Sequence, residues 1–108
     1  NGLPFAFAGL WDVWNGEEEP VTSCTILTIA ANSLIQALHE RMPVIVPPEA
    51  YDNWLNPALT TEEAIQPFLR SYPAEEMALR PVSSRVNSPA NDGPENIREI
   101  ENPPALFE

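Results

Sequence analysis

Thirteen prolines against four glycines in 108 residues set the first limit on this chain. Each proline holds its own φ at about −65°, removes a backbone donor and steers the residue before it away from the helical region. Short elements joined by long irregular connections follow, and a large helical bundle is excluded. A hydrophobic fraction of 44% still supports a globular class. A chain of this length forms one domain at most, burying roughly two-thirds of the surface its unfolded form exposes.

The order of elements reads from local pattern. "LPFAFAGLWDVWNG" is apolar, partly alternating, and ends on Asn15-Gly16, a turn signal. It predicts a strand over Phe5 to Trp14 and an acidic turn through Glu17 to Glu19. "VTSCTILTIA", Val21 to Ala30, is rich in β-branched residues and predicts a second strand that pairs with the first. In "NSLIQALHE" the stripe Leu34, Ile35, Leu38 has helical spacing and Asn32 is available as a cap, while Pro43 keeps that helix short. "PVIV" predicts a third strand, stopped by Pro47 and Pro48. Glu49 to Leu55 predicts a short helix, and Thr60 with Glu63 has capping-box spacing ahead of another, which Pro67 interrupts. A last strand is expected over Leu79 to Val86, with extended chain from Asn87 onward. No internal repeat is present.

The formal charge of −11 comes from sixteen acidic side chains against five arginines and no lysine. This is opposite in sign to the field that a free-standing nucleic-acid binder uses to neutralise phosphates. Arg41, Arg70, Arg80, Arg85 and Arg98 carry a rigid donor fork suited to phosphate or carboxylate. Cys24 is single, which excludes an internal disulfide and a cysteine-based zinc site; its place in a strand phrase predicts a buried, inert thiol. No apolar run is long enough to span a membrane and no signal peptide is evident, so no membrane association and an intracellular location are expected. The first residue is Asn1 rather than Met, and the chain is expected to begin partway through a longer protein.

Candidate chemistry centres on Thr28, His39 and Arg41. Thr28 offers a short donor and acceptor, His39 a proton carrier near neutral pH, and Arg41 a forked donor for an anion. Taken alone, the single histidine reads first as a structural or surface residue, then as a catalytic one, then as a metal ligand. "HERMP" lacks the second histidine of the H-E-x-x-H zinc signature. Glu40 reads as solvated. Trp11 and Trp14, three apart in a strand, point to opposite faces, one towards a core and the other available for stacking on a base. "PVSSRVN" places Ser83, Arg85 and Asn87 on one strand face, solvated or ligand-facing.

The phrases "FAFAGLWDVW", "TSCTILTIAAN", "LHERMPVIVPPEAYDNWL" and "RPVSSRVNSPANDGPE" together cover nearly the whole chain. In that order the sequence resembles the carboxy-terminal part of the SOS-response-associated peptidase (SRAP) family, whose members sense abasic sites in single-stranded DNA. The resemblance implies a β-rich, barrel-like α+β fold with short helices, present as a partial domain over residues 1–100 with an acidic, proline-containing tail at 101–108. It implies single-stranded abasic DNA as partner, no cofactor and no metal. It also implies an amino-terminal cysteine, exposed by autoproteolytic processing, that attacks the ring-opened sugar and forms a thiazolidine crosslink. His39 matches the active-site histidine, Arg41 an arginine on DNA phosphate, and Thr28 a threonine lining the abasic pocket. Trp11 is assigned to packing.

The family's nucleophilic cysteine, its catalytic glutamate and a basic segment have no counterpart here; Cys24 and Glu17 to Glu19 do not match them. The segment alone is therefore expected to be inactive, and a homo-oligomer is the expected cover for its sheet edges. The implied location is the cytoplasm or nucleoid in a bacterium and the nucleus in a eukaryote. A noncatalytic acidic interaction or structural domain is the alternative function. A general peptidase is a weaker third reading, since no Ser-His-acid or Cys-His set is assembled.

Overall fold

In the computed structural model, which describes residues 2–101, the first three predicted strand phrases form, the third extended back to Arg41, but each is broken once along its length. The first gives β1 (Ala6–Phe7) and β2 (Gly9–Trp14), the second β3 (Val21–Ile26) and β4 (Thr28–Ala30), and the third β5 (Arg41–Pro43) and β6 (Ile45–Val46). The breaks fall at Ala8, Leu27 and Val44, and there each strand changes partner. β1 pairs with β6, β2 with β3 and β4 with β5, all antiparallel, giving three two-stranded sheets.

The three break residues bond to one another in a ring. Ala8 N–H donates to Val44 C=O at 2.7 Å, Val44 N–H to Leu27 C=O at 2.9 Å, and Leu27 N–H to Ala8 C=O at 2.9 Å. A strand that leaves one partner for another would normally strand a donor and an acceptor at the crossing, and burial would make both costly. The ring satisfies all six groups, and the core can therefore close around it. Ala8 and Val44 are fully buried, and with Val46 they form a cluster against which Leu27, Ile29, Ala50, Tyr51, Trp54 and Leu69 pack.

The expected barrel does not form. Closure needs each strand to be paired on both edges along its length. Here every strand residue has one partner strand at a time and exchanges it at the ring, so the sheets remain separate pairs. The fold is α+β, with small sheets and short helices.

The chain divides into two compact units, Asn1–Glu76 and Met77–Glu108. In the first, Pro47 and Pro48 end β6, and a 3-10 turn at Pro48–Ala50 leads into α1 (Tyr51–Trp54). Trp54 meets Phe68 edge to face at 5.1 Å. The capping threonine of α2 (Glu62–Ile65) is Thr61, one residue later than the sequence spacing predicts; its Oγ1 accepts from Ala64 N–H at 3.2 Å. Pro67 falls within the 3-10 turn that follows, Gln66–Phe68, where the helix gives out.

In the second unit no strand runs over 79–86. Val82 makes an isolated bridge with Glu99, and Ser84–Asn87 is a 3-10 turn whose entry is capped by Ser83 Oγ accepting from Arg85 N–H at 3.2 Å. The local hydroxyl-to-backbone bond competes with the extended conformation and wins. Ser83, Arg85 and Asn87 accordingly do not share a strand face. Arg85 pairs with Glu95 at 3.8 Å across a second 3-10 turn, Pro94–Ile97. Most of the expected tail, 102–108, lies outside the described residues.

Candidate functional site

The β4–β5 pair builds the cluster. Its register sets Thr28 opposite Pro43, Ile29 opposite Met42 and Ala30 opposite Arg41. Ladder bonds flank it at Val44 N–H to Leu27 C=O and at Ala31 N–H to Glu40 C=O. In an antiparallel pair such bonded positions alternate, so Thr28–Pro43 and Ala30–Arg41 are the non-bonded pairs. Two consequences follow. Pro43 occupies a position where a missing N–H costs nothing, and the backbone N–H and C=O of Arg41 turn away from β4.

His39 meets them. Its Nδ1 lies 2.9 Å from Arg41 N and 3.1 Å from Arg41 O. With Nδ1 bare, the ring accepts from the Arg41 N–H and carries its proton on Nε2; with Nδ1 protonated, it donates to the Arg41 carbonyl. A proton can thus be exchanged without breaking contact with the strand. The Arg41 side chain reaches across β4, where Nη2 donates to Thr28 C=O at 2.8 Å and to Thr28 Oγ1 at 3.1 Å. Thr28, His39 and Arg41 are all exposed. The three residues singled out in the sequence therefore form one hydrogen-bonded group, with Thr28 holding the guanidinium and the Arg41 backbone holding the imidazole.

The connection between β4 and β5 is a single helical turn rather than a helix. Only Ile35–Ala37 is regular, as a 3-10 turn. Asn32 Oδ1 accepts from Leu34 and Ile35 N–H at 3.1 and 3.0 Å, while Ile35 C=O accepts from both Leu38 and His39 N–H. The Asn32 side chain also donates through Nδ2 to Tyr72 C=O at 2.6 Å, and Ser71 Oγ donates to Ala30 C=O at 2.7 Å. These two ties bridge about forty positions of chain, and no local pattern predicts them.

Two other expectations change. Cys24 is exposed on β3, opposite Trp11, instead of buried. Neither Trp11 nor Trp14 enters a core: they are 73% and 66% exposed on opposite faces of the β2–β3 hairpin. An open apolar depression of about 360 Å³ lies between β1, β6 and α1, lined by Phe7, Val46, Tyr51, Trp54 and Leu55 among others, and none of the clustered polar residues lines it.

Comparison with known proteins identifies the family of the chain. The sequence is 47% identical over 94 residues to the abasic site processing protein YoqW of Bacillus subtilis, covering 86% of this chain and 42% of that protein. It is 41% identical over 98 residues to the abasic site processing protein HMCES of Gallus gallus, covering 87% of this chain and 28% of that one. The chain therefore spans less than half the length of these curated relatives. A crystal structure of a protein from Bacteroides thetaiotaomicron superposes with a TM-score of 0.74 at 26% identity, over 89% of this chain and 44% of that one. No helix among the described residues is long and apolar enough to cross a membrane. The family model for SOS response associated peptidase (SRAP) matches residues 1–89, which includes the Thr28–His39–Arg41 cluster and both strand hairpins, and the chain belongs to that family.

Proposed function

We propose that a SRAP protein containing this segment senses abasic sites in single-stranded DNA and captures them covalently. The captured group is the aldehyde of the ring-opened abasic sugar. An amino-terminal cysteine, exposed by autoproteolytic processing and supplied from outside these 108 residues, adds its thiol and amine to the aldehyde carbon with loss of water, giving a thiazolidine. His39 transfers the proton needed to open the sugar ring and, later, to reverse the link. Arg41 clamps a neighbouring phosphate through the guanidinium edge turned away from Thr28, and Thr28 fixes that guanidinium and borders the pocket.

The observation that carries this reading is the single hydrogen-bonded group formed by Thr28, His39 and Arg41, all three exposed, at the β4–β5 hairpin of a SRAP chain. Its members supply a proton carrier, an anion donor and a rigid support within one short stretch of sheet. The test is incubation of abasic single-stranded DNA with a full-length SRAP protein carrying this segment, followed by denaturing electrophoresis. A retained adduct, slowed by His39→Ala and weakened by Arg41→Ala, is expected. Absence of any adduct with the intact protein sinks the assignment.

A second reading, a noncatalytic acidic interaction domain, draws on the −11 charge and on the exposed apolar β2–β3 hairpin. Capture of a protein partner that survives substitution of His39, Thr28 and Arg41, together with no DNA adduct, would favour it.

A further inference from the structure

We propose that Asn32 is the positioning residue of His39, acting through the backbone of Ile35 and anchored on the backbone of Tyr72. The path is continuous in hydrogen bonds. Asn32 Oδ1 accepts from Ile35 N–H at 3.0 Å, and Ile35 C=O accepts from His39 N–H at 3.0 Å, so Ile35 is held by Asn32 through its N–H and holds His39 through its C=O, on the two peptides that flank its Cα. The far end of the Asn32 side chain donates to Tyr72 C=O at 2.6 Å, which fixes the amide against a segment forty residues away. The Asn32 carbonyl also accepts from Gln36 N–H at 3.0 Å, and Ala31 N–H closes the loop on Glu40 C=O at 2.9 Å.

The chemistry of the side chain explains why this position needs an amide. One planar group must accept from two backbone N–H groups and donate to a carbonyl in another direction. Aspartate can do only the first, serine reaches less far, and alanine does neither. The loop is otherwise weakly determined: a single 3-10 turn with no buried residue in it cannot hold an imidazole in place by packing. Without the amide, the His39 ring loses its fixed relation to the Arg41 backbone, and Nδ1 no longer keeps its close contacts to the Arg41 N–H and C=O. Whether that tautomer matters for abasic-site chemistry rests on the proposed function; the positioning itself does not.

The experiment is a long-range proton–nitrogen NMR spectrum of the His39 imidazole in the 108-residue chain, recorded where the ring is neutral. The unmodified chain, with Nδ1 held against the Arg41 backbone, is expected to show one dominant tautomer, its two ring nitrogens well separated in shift. In Asn32→Ala the two nitrogen signals should move towards each other, the mark of a tautomer mixture, while the amide signals of β5 and β6 stay dispersed. An unchanged imidazole pattern in a folded Asn32→Ala chain overturns the proposal. Should Asn32→Ala fail to fold, Asn32→Asp decides: it keeps both turn acceptors and loses the amide donor that ties to Tyr72, and here too converging nitrogen signals support the proposal and an unchanged pattern overturns it. Failure of the functional reading is seen separately, as DNA adduct formation in the longer protein that is indifferent to His39→Ala.

Discussion

The molecule contains two antiparallel hairpins that look alike in sequence and end in opposite circumstances. β2–β3 pairs six residues with six, from Gly9↔Ile26 to Trp14↔Val21, and every one of them is exposed. β4–β5 pairs only three with three, yet it includes Met42 at 3% exposure and runs into Val44 at 0%. The longer hairpin has more ladder bonds, but two strands alone are marginal in water unless a face is covered. The shorter one is fixed because its continuation enters the hydrogen-bonded ring of Ala8, Leu27 and Val44. Pairing follows from local pattern, while rigidity follows from what lies under the pair, and the polar cluster is found on the rigid hairpin.

The sharpest way to break this contrast is to put a charge at the ring. Val44→Asp would bury an unpaired carboxylate among fully enclosed apolar groups, a cost of several kcal/mol, and the chain should lose its cooperative unfolding transition in circular dichroism. Retention of that transition would show that the ring is not where the fold is held. The two tryptophan positions give the next largest difference. Trp54 packs against the core and Phe68, so Trp54→Ala should cost about 3 kcal/mol in denaturant unfolding, whereas Trp11→Ala should stay within about 0.5 kcal/mol. Equal effects would mean that the two hairpins are covered alike.

A smaller effect is expected at the turn of the exposed hairpin. A Cβ on Gly16 would enter the Trp14 ring, but that ring is the far end of an exposed side chain and can swing aside. Gly16→Ala should therefore shift tryptophan fluorescence while changing stability by less than about 1 kcal/mol. Cys24 on the same hairpin should react with a maleimide in the folded chain as fast as a thiol in an unstructured peptide of similar sequence; slow labelling would show that the face of β3 is covered.

Much of the pairing was legible. Asn15-Gly16 and the β-branched run Val21–Ile26 announce the first hairpin, and Pro43 announces the end of any helix before it. The partner exchange at Ala8, Leu27 and Val44 was not, because it is set by three bonds between residues far apart in sequence, and a barrel was expected in its place. Burial was equally hidden: "TSCTIL" has the composition of a covered strand, yet Cys24 is exposed, as is every residue of β2 and β3. At 79–86 the apolar alternation suggested a strand, but Ser83 could cap a turn locally, and a local bond needs no distant partner. The grouping of Thr28, His39 and Arg41 was legible, since a strand followed by a turn can fold back to bring them together. What sequence concealed was who holds whom: Thr28 supports Arg41, the Arg41 backbone supports His39, and Asn32, legible only as a cap, reaches Tyr72.

The most direct test of the account is a double-mutant cycle on Thr28 and Arg41 in a full-length SRAP protein carrying this segment, read as affinity for abasic single-stranded DNA. Arg41→Ala should weaken binding by roughly one to two orders of magnitude, the scale of a charge-assisted contact. If Thr28 acts by holding Arg41, Thr28→Val should weaken binding less, and should add almost nothing once Arg41 is alanine. Full additivity of the two substitutions, or binding untouched by Arg41→Ala, would contradict the claim that these residues work as one unit on the DNA.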